Sequence, residues 1–231
     1  MMGAVLFDLD NTLVNFIETK QRCISSAVLA MSRVGLKMNP IGMERVIYQI
    51  YEREGIEYPY IFNEFLKTVS GEVGKRLLEA AVGAYRTEKA RTFRAYYGTQ
   101  DVLRALSVLG FKLAIVTDAP SVKAWRRICG AGLSRYFDAV VTRDDAGTTK
   151  DNGKPFEIAL EILGIGPSEA VAVGDRIERD IIGGKRAGLT TVLARYGCSA
   201  LHYEESPDYI IDDIRELTNI LESPQAMEGN C

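Results

Sequence analysis

The stretch Ala4-Val5-Leu6-Phe7-Asp8-Leu9-Asp10-Asn11-Thr12 joins an apolar run to two aspartates and a polar turn. An apolar run of this length, bounded by turn residues, predicts a buried parallel strand that ends at Asp8. In open α/β sheets the functional groups lie just beyond the carboxyl ends of the strands. Asp8 and Asp10 would point to one face of a regular strand, where their charges would repel each other. Crowded carboxylates are costly unless they share a proton or bind a metal, so the pair predicts either a site or only a turn after the strand.

Two later apolar runs, at residues 113–116 and 170–173, also end in polar residues. A threonine at such a place is explained equally well by helix capping, and a Gly-Asp pair by a plain turn. Functional groups of open α/β sheets lie beyond the carboxyl ends of the strands, so polar residues after three such runs favour a site over plain turns. In chain order, the residues that could contribute to it after the first strand are Thr117, Asp118, Lys150, Lys154, Asp175 and Asp180.

This ordered set of strand-end acids, threonine and lysine resembles the haloacid dehalogenase superfamily, whose members are mostly phosphatases. The resemblance extends over most of the chain. It implies that Asp8 is the nucleophile and forms an aspartyl-phosphate, while Asp10 protonates the leaving oxygen and then activates water. It also implies an Mg²⁺ ion held by the carboxylates of Asp8 and Asp175 and by the backbone carbonyl of Asp10.

The resemblance further implies how the phosphate is bound. Thr117 would donate from its hydroxyl and Asp118 from its backbone N–H. The family commonly has asparagine at the second position, so only a backbone role is expected for Asp118. Asp180 would orient metal-bound water or the lysine. The family's lysine usually precedes the first aromatic residue of the next helix by six positions, which favours Lys150 over Lys154.

Asp10 separates the activities that the family includes. Dehalogenases proper lack an acid at this position, because a halide leaves without a proton. Asp10 therefore favours a phosphatase acting on a small phosphorylated metabolite, with a phosphomutase or a 2-haloacid dehalogenase as the alternative enzyme. From another class, a receiver domain or a non-catalytic binding protein stays open, although receiver domains are shorter and have no helical insertion after the first strand.

Apolar runs predict six strands that mostly alternate with helices, which is typical of a doubly wound parallel sheet. The family resemblance implies that this sheet forms a Rossmann-like core. The predicted strands are residues 4–8, 112–117, 138–142, 169–174, 189–193 and 209–211. One interval, after the first strand, shows only helical periodicity and is longer than a crossover needs. We therefore predict three parts of the chain: a core domain at 1–14 and 98–221, an α-helical cap domain at 15–97, and a disordered tail at 222–231.

The composition excludes several classes of partner. The 231-residue chain has a formal net charge of −3, which gives no basic surface for nucleic acid. No apolar stretch is long enough to span a bilayer, and the first apolar run breaks at Asp8, unlike a signal peptide. Four cysteines without C-x-x-C spacing are typical of reduced thiols. We expect a cytoplasmic protein with no membrane partner, and the sequence leaves its oligomeric state open.

Three other kinds of chemistry are disfavoured by the sequence. The stretch from Cys129 to Arg135 matches the C-x5-R pattern of cysteine phosphatases, but it follows a helical pattern rather than a strand. We interpret it as the glycine-rich end of a helix. The one histidine, His202, has no partner motif, which disfavours histidine-based phosphoryl transfer. No G-x-G-x-x-G follows a predicted strand, which disfavours a dinucleotide site.

Overall fold

The computed structural model of the chain describes residues 3–198 and 205–222. Their six strands form one parallel sheet in the order β3-β2-β1-β4-β5-β6. The strands are β1 (Ala4–Phe7), β2 (Lys112–Val116), β3 (Ala139–Val141), β4 (Ala170–Gly174), β5 (Thr190–Ala194) and β6 (Tyr209–Ile211). The predicted fold class is confirmed. His202 and most of the predicted tail lie outside the described residues.

Ten α-helices lie between and after the strands in the described ranges. They are α1 (Phe16–Arg33), α2 (Pro40–Glu54), α3 (Ile61–Ser70), α4 (Lys75–Thr92), α5 (Thr99–Val108), α6 (Ser121–Gly130), α7 (Arg143–Ala146), α8 (Lys154–Leu163), α9 (Ile182–Arg186) and α10 (Glu216–Glu222). None of the helices in this part of the chain is both long enough and apolar enough to cross a membrane.

Strand β1 lies at the centre of the sheet, between β2 and β4. Phe7 pairs with Ile115 on one side and with Val173 on the other, so the three strands end at nearly the same level. All four β1 residues are buried, because a central parallel strand is covered on both faces. The register places the residues that follow β1, β2 and β4 along one edge of the sheet.

The chain divides into two compact units, Met1–Asn15 with Arg94–Cys231 and Phe16–Phe93. We call the first the sheet unit and the second the helical unit. Helices α1 to α4 enclose a separate apolar core in the helical unit, which includes Met31, Met43 and Phe65. Helix α2 begins at Pro40, as its sequence indicates, and the Asn39 side chain accepts a hydrogen bond from the backbone N–H of Ile41 at 2.9 Å.

The helical unit is shorter than the predicted cap at 15–97, because residues at both ends pair with each other in the sheet unit. The backbone N–H of Asn15 donates to the carbonyl of Arg94 at 3.2 Å, and that of Tyr96 to the carbonyl of Leu13 at 3.0 Å. The Asn15 side chain accepts from the N–H of Arg94 at 3.1 Å. This short antiparallel pairing fixes the bounds at Phe16 and Phe93.

Apolar residues recur at helical spacing after β4, but the segment is not one continuous α-helix. Residues Ile177–Ile181 form a π-helical turn, and α9 begins only at Ile182. The N–H groups of Asp180 and Ile181 both donate to the carbonyl of Arg176, at 2.7 and 3.4 Å. The Asp180 carboxylate accepts from the N–H of Arg176 at 2.9 Å. Wide turns of this kind occur often at functional sites, and this one turns Asp180 inward.

The C-x5-R stretch lies at the end of a helix rather than after a strand. Cys129 is exposed in the last turn of α6, and the chain reverses at Gly132, which has a φ of +69°. The interpretation of this stretch as a helix end is confirmed.

Candidate active site

Three buried carboxylates meet at the carboxyl edge of the sheet. Asp8 follows β1, Asp175 follows β4, and Asp180 comes from the π-helical turn. Each offers a carboxylate oxygen, and the three oxygens all lie within 4.8 Å of one another. Gly174 permits this approach, because a Cβ there would stand 2.1 Å from the Asp180 Cγ. The structure thus places three of the predicted acids in one cluster.

The cluster is short of positive charge. Burial raises the pKa of Asp8, although Lys150 opposes this shift. Burial, with repulsion from Asp8 and Asp180, raises the pKa of Asp175 to about 9. Burial also raises the pKa of Asp180 to about 6, against the attraction of Lys150. One ammonium group among three carboxylates leaves an excess of negative charge, so the cluster favours a cation.

Lys150 supplies that single ammonium group from a 3₁₀ turn before α8. Its buried Nζ donates to Asp8 Oδ1 and, at 2.5 Å, to Asp180 Oδ1. Burial opposes the charged form, but attraction by Asp180, Asp8 and Asp118 outweighs it and raises the pKa of Lys150. Lys154 is exposed at the first residue of α8. The structure therefore brings Lys150 to the acids and leaves Lys154 apart from them.

The Asp118 side chain is engaged, whereas the sequence predicts only a backbone role for this residue. Its Oδ1 accepts from the backbone N–H of Lys150 at 2.9 Å, and its Oδ2 accepts from Arg179 at 2.5 Å. Both contacts turn the carboxylate towards the 3₁₀ turn and the π-helical turn. Asp118 therefore links these two turns, and Arg179 neutralises its charge.

Two threonines contribute hydroxyl groups near the same edge. Thr117 is buried at the end of β2, and its Oγ1 accepts from the backbone N–H of Ala119 at 3.2 Å. That bond is the local capping contact that a strand-end threonine commonly makes, and the hydroxyl proton can still be donated to another group. Thr12 Oγ1 lies 3.4 Å from Asp175 Oδ1, a long hydrogen bond to the cluster.

Asp10 contacts Arg127, a residue of α6 that was not predicted as part of the site. The Asp10 Oδ2 accepts a hydrogen bond from Nη1 of Arg127, and the Arg127 side chain is only 5% exposed. The signal was present in the sequence, because Arg127 falls on the buried stripe of α6 between Ala124 and Ile128. An arginine in an apolar stripe indicates a buried partner.

Comparisons with known proteins establish the family of the chain. The model of the haloacid dehalogenase-like hydrolase family matches residues 5–194. The chain belongs to this family. It is 33% identical to the glyceraldehyde 3-phosphate phosphatase of Methanopyrus kandleri, over 96% of this chain and 97% of that protein. It is 30% identical to the pyrophosphatase PpaX of Halalkalibacterium halodurans, over 95% of this chain and 97% of that one.

A solved structure shows the same fold. The haloacid dehalogenase phosphatase from Thermococcus onnurineus superimposes with a TM-score of 0.68 and 29% identity, over 95% of this chain and 98% of that chain. The family, the relatives and this structural neighbour agree on the class of enzyme. The enzyme is a phosphatase of the haloacid dehalogenase-like family.

Proposed function

We propose that the enzyme is an Mg²⁺-dependent phosphatase that hydrolyses a small phosphorylated metabolite through an aspartyl-phosphate on Asp8. The observation that carries the proposal is the contact of Lys150 with both Asp8 and Asp180, beside Asp175. A carboxylate that attacks a phosphate dianion meets repulsion of about 4 kcal/mol for each charge pair at about 4 Å. A fixed ammonium group and a metal site beside the nucleophile are what such an attack requires.

The acids suit a magnesium ion. Mg²⁺ prefers carboxylate and carbonyl oxygens, and the three carboxylates come close enough to share one cation. Asp8 and Asp175 would hold the ion with their carboxylates, and Asp10 with its backbone carbonyl. Asp180 would orient this set through Lys150. When bound, Mg²⁺ supplies positive charge that reduces the repulsion between Asp8 and the phosphate.

The residues would act in two steps. Asp8 attacks phosphorus, and the bond to the leaving oxygen breaks while Asp10 gives that oxygen a proton. Asp10 then takes a proton from a water molecule that attacks the aspartyl-phosphate, which releases phosphate and restores Asp8. Lys150 neutralises charge in both steps, and the Thr117 hydroxyl with the Asp118 N–H binds the phosphate oxygens.

Glyceraldehyde 3-phosphate is the first substrate to test, because the relative from Methanopyrus kandleri is named for it and aligns over almost its whole length. Pyrophosphate is the second, from the name of the other relative. A sugar phosphomutase and a 2-haloacid dehalogenase are the alternatives, and they differ from a phosphatase in their products.

The test measures phosphate release from glyceraldehyde 3-phosphate, pyrophosphate and a panel of other phosphorylated metabolites, with Mg²⁺ and with EDTA. We expect Mg²⁺-dependent release of phosphate from one or more monoesters. Asp8→Asn provides the control for contaminating phosphatases. Transfer of phosphate between two positions of a sugar without release, or halide release from a 2-haloacid, would contradict the proposal.

A further inference from the structure

The partly buried pair of Asp10 and Arg127 assigns a role to a residue outside the acid cluster. We propose that Arg127 is a positioning residue, which holds the Asp10 carboxylate in the orientation from which it exchanges protons during catalysis. This inference rests on the proposed function, in which Asp10 is the acid and base. Arg127 itself gives and takes no proton.

The environment of Arg127 argues against an incidental surface contact. The residue lies on the inward stripe of α6, and its whole side chain is almost excluded from solvent. A buried guanidinium is costly unless a partner compensates its charge. The partner that it contacts is Asp10, 117 positions earlier in the chain. Surface pairs contribute little and are easily exchanged, but in this pair the Arg127 side chain is almost fully buried.

Asp10 lies beyond the regular strand pairing of the sheet. The β1 ladder ends at Phe7, and Asp10 lies in the turn that follows. Asn11 in this turn has a φ of +63°, and the turn is closed by the N–H of Asn11, which donates to the carbonyl of Val14 at 2.8 Å. The Asp10 side chain is 21% exposed, so its carboxylate is not enclosed like those of the acid cluster. A planar guanidinium fixes a carboxylate better than a single point charge.

The cations of the site are divided among its acids. Lys150 contacts Asp8 and Asp180, and Arg179 contacts Asp118. Arg127 contacts Asp10, which follows the nucleophile by two residues. The acid–base carboxylate is therefore paired with a cation. A misplaced catalytic group loses rate without losing substrate binding, so the effect of Arg127 should fall on kcat.

The test compares Arg127→Met with Arg126→Met, a matched control one residue away on the exposed side of the same helix. Two substrates are used: an alkyl phosphate, whose leaving oxygen needs a proton, and p-nitrophenyl phosphate, whose leaving group needs none. We expect Arg127→Met to lower kcat for the alkyl phosphate by about 10–100-fold, with KM within about threefold. Arg126→Met should match the unaltered enzyme, and Arg127→Lys should recover part of the loss.

The rate of the first chemical step, in which the leaving group departs, distinguishes a positioning role of Arg127 from a general structural defect. With p-nitrophenyl phosphate in excess over Arg127→Met, the pre-steady-state release of nitrophenolate should stay within about threefold of the unaltered rate, because that step needs no acid. Slow water attack should then follow, which gives a burst equal to the enzyme concentration. A structural defect would slow the first step for both substrates, and that result would overturn the proposal.

A double-mutant cycle distinguishes failure of this inference from failure of the proposed function. If Arg127 acts through Asp10, Asp10→Asn with Arg127→Met should be no slower than Asp10→Asn alone. Losses that multiply would overturn the positioning role and leave the acid–base role of Asp10 intact. A fully active Asp10→Asn variant would overturn the acid–base assignment and this inference with it. If Arg127→Met does not fold, the same cycle is measured with Arg127→Lys. Losses that multiply in the double variant of Asp10→Asn and Arg127→Lys would equally overturn the positioning role of Arg127.

Discussion

The sheet unit and the helical unit bury different kinds of side chain. Of the six charged residues that are buried in the described ranges, five belong to the sheet unit: Asp8, Arg127, Lys150, Asp175 and Asp180. The sixth, Lys20, lies in the helical unit, with its Nζ 4.3 Å from the centre of the Tyr51 ring. The other buried residues of the helical unit are uncharged, and most of them are apolar. Buried charge is costly, so its concentration in one unit indicates that the chemistry resides there.

The largest effect should come from Asp8, the proposed nucleophile in the sheet unit. Asp8→Asn should reduce turnover by on the order of 10⁴-fold or more, because an amide does not attack phosphorus and binds a metal poorly. Its fold should be retained, since the change removes one buried charge and no apolar contact. Phosphate release and a thermal melt measure the two properties. Full activity in folded Asp8→Asn protein would refute the mechanism.

The next largest effect should distinguish Lys150 from Lys154, the two lysines that the sequence offers for the phosphate site. Lys150→Ala should lower turnover by about 10²–10³-fold, because it removes the ammonium group beside Asp8 and Asp180. Lys154→Ala, the matched control on the exposed start of α8, should stay within about threefold of the unaltered enzyme. The reverse order of the two variants would assign the phosphate to Lys154.

Deletion of the helical unit tests whether the two units also differ in function, with catalysis in the sheet unit and substrate selection in the helical unit. A short linker can replace Phe16–Phe93, because Asn15 and Arg94 are already hydrogen-bonded neighbours. The sheet unit should fold and hydrolyse an aryl phosphate slowly, while discrimination between metabolites falls by about tenfold or more. Relative kcat/KM values over a metabolite panel measure this. Unchanged discrimination would place specificity in the sheet unit.

The smallest effect concerns stability and pH. Without a metal, burial raises the pKa of Asp175 to about 9, and repulsion from Asp8 and Asp180 adds to the shift. At pH values below about 9, the folded state therefore binds more protons at this residue than the unfolded chain does. The metal-free protein should therefore lose stability as the pH rises from about 5 to about 9, and each kcal/mol lost lowers Tm by about 2–4 °C.

The control for this effect compares EDTA with excess Mg²⁺, and Asp175→Asn with the unaltered chain. Mg²⁺ should raise Tm most at the high end of the range, where the carboxylates are ionised. Asp175→Asn in EDTA should show a weaker decline. A metal-free protein whose Tm rises with pH, with or without Asp175, would contradict the raised pKa.

The fold could be predicted because its signals are local. Apolar runs bounded by turn residues gave the six strands to within one residue at each end, since a strand buried on both faces tolerates few polar side chains. The same runs located Asp8, Thr117 and Asp175, which stand directly after them. Asp10 followed from its spacing to Asp8.

The pairings between distant segments could not be predicted in the same way. Arg127 lies 117 positions from Asp10, and Arg179 lies 61 positions from Asp118, so no spacing rule connects them. The π-helical turn at Ile177–Ile181 was also missed, because its apolar periodicity fits an α-helix. It is the buried contacts of Asp180 with Arg176 and Lys150 that distinguish the two.

The most direct test of the central claim is detection of a phosphoryl group on Asp8. The enzyme would be mixed with an activated aryl phosphate and Mg²⁺, quenched in acid within one turnover, digested and analysed by mass spectrometry. We predict the added mass of one phosphoryl group on the peptide that contains Asp8, with more of it in Arg127→Met, where the second step is slowed. Phosphate release by an enzyme that never carries this mass on Asp8, or that carries it on another residue, would contradict the account.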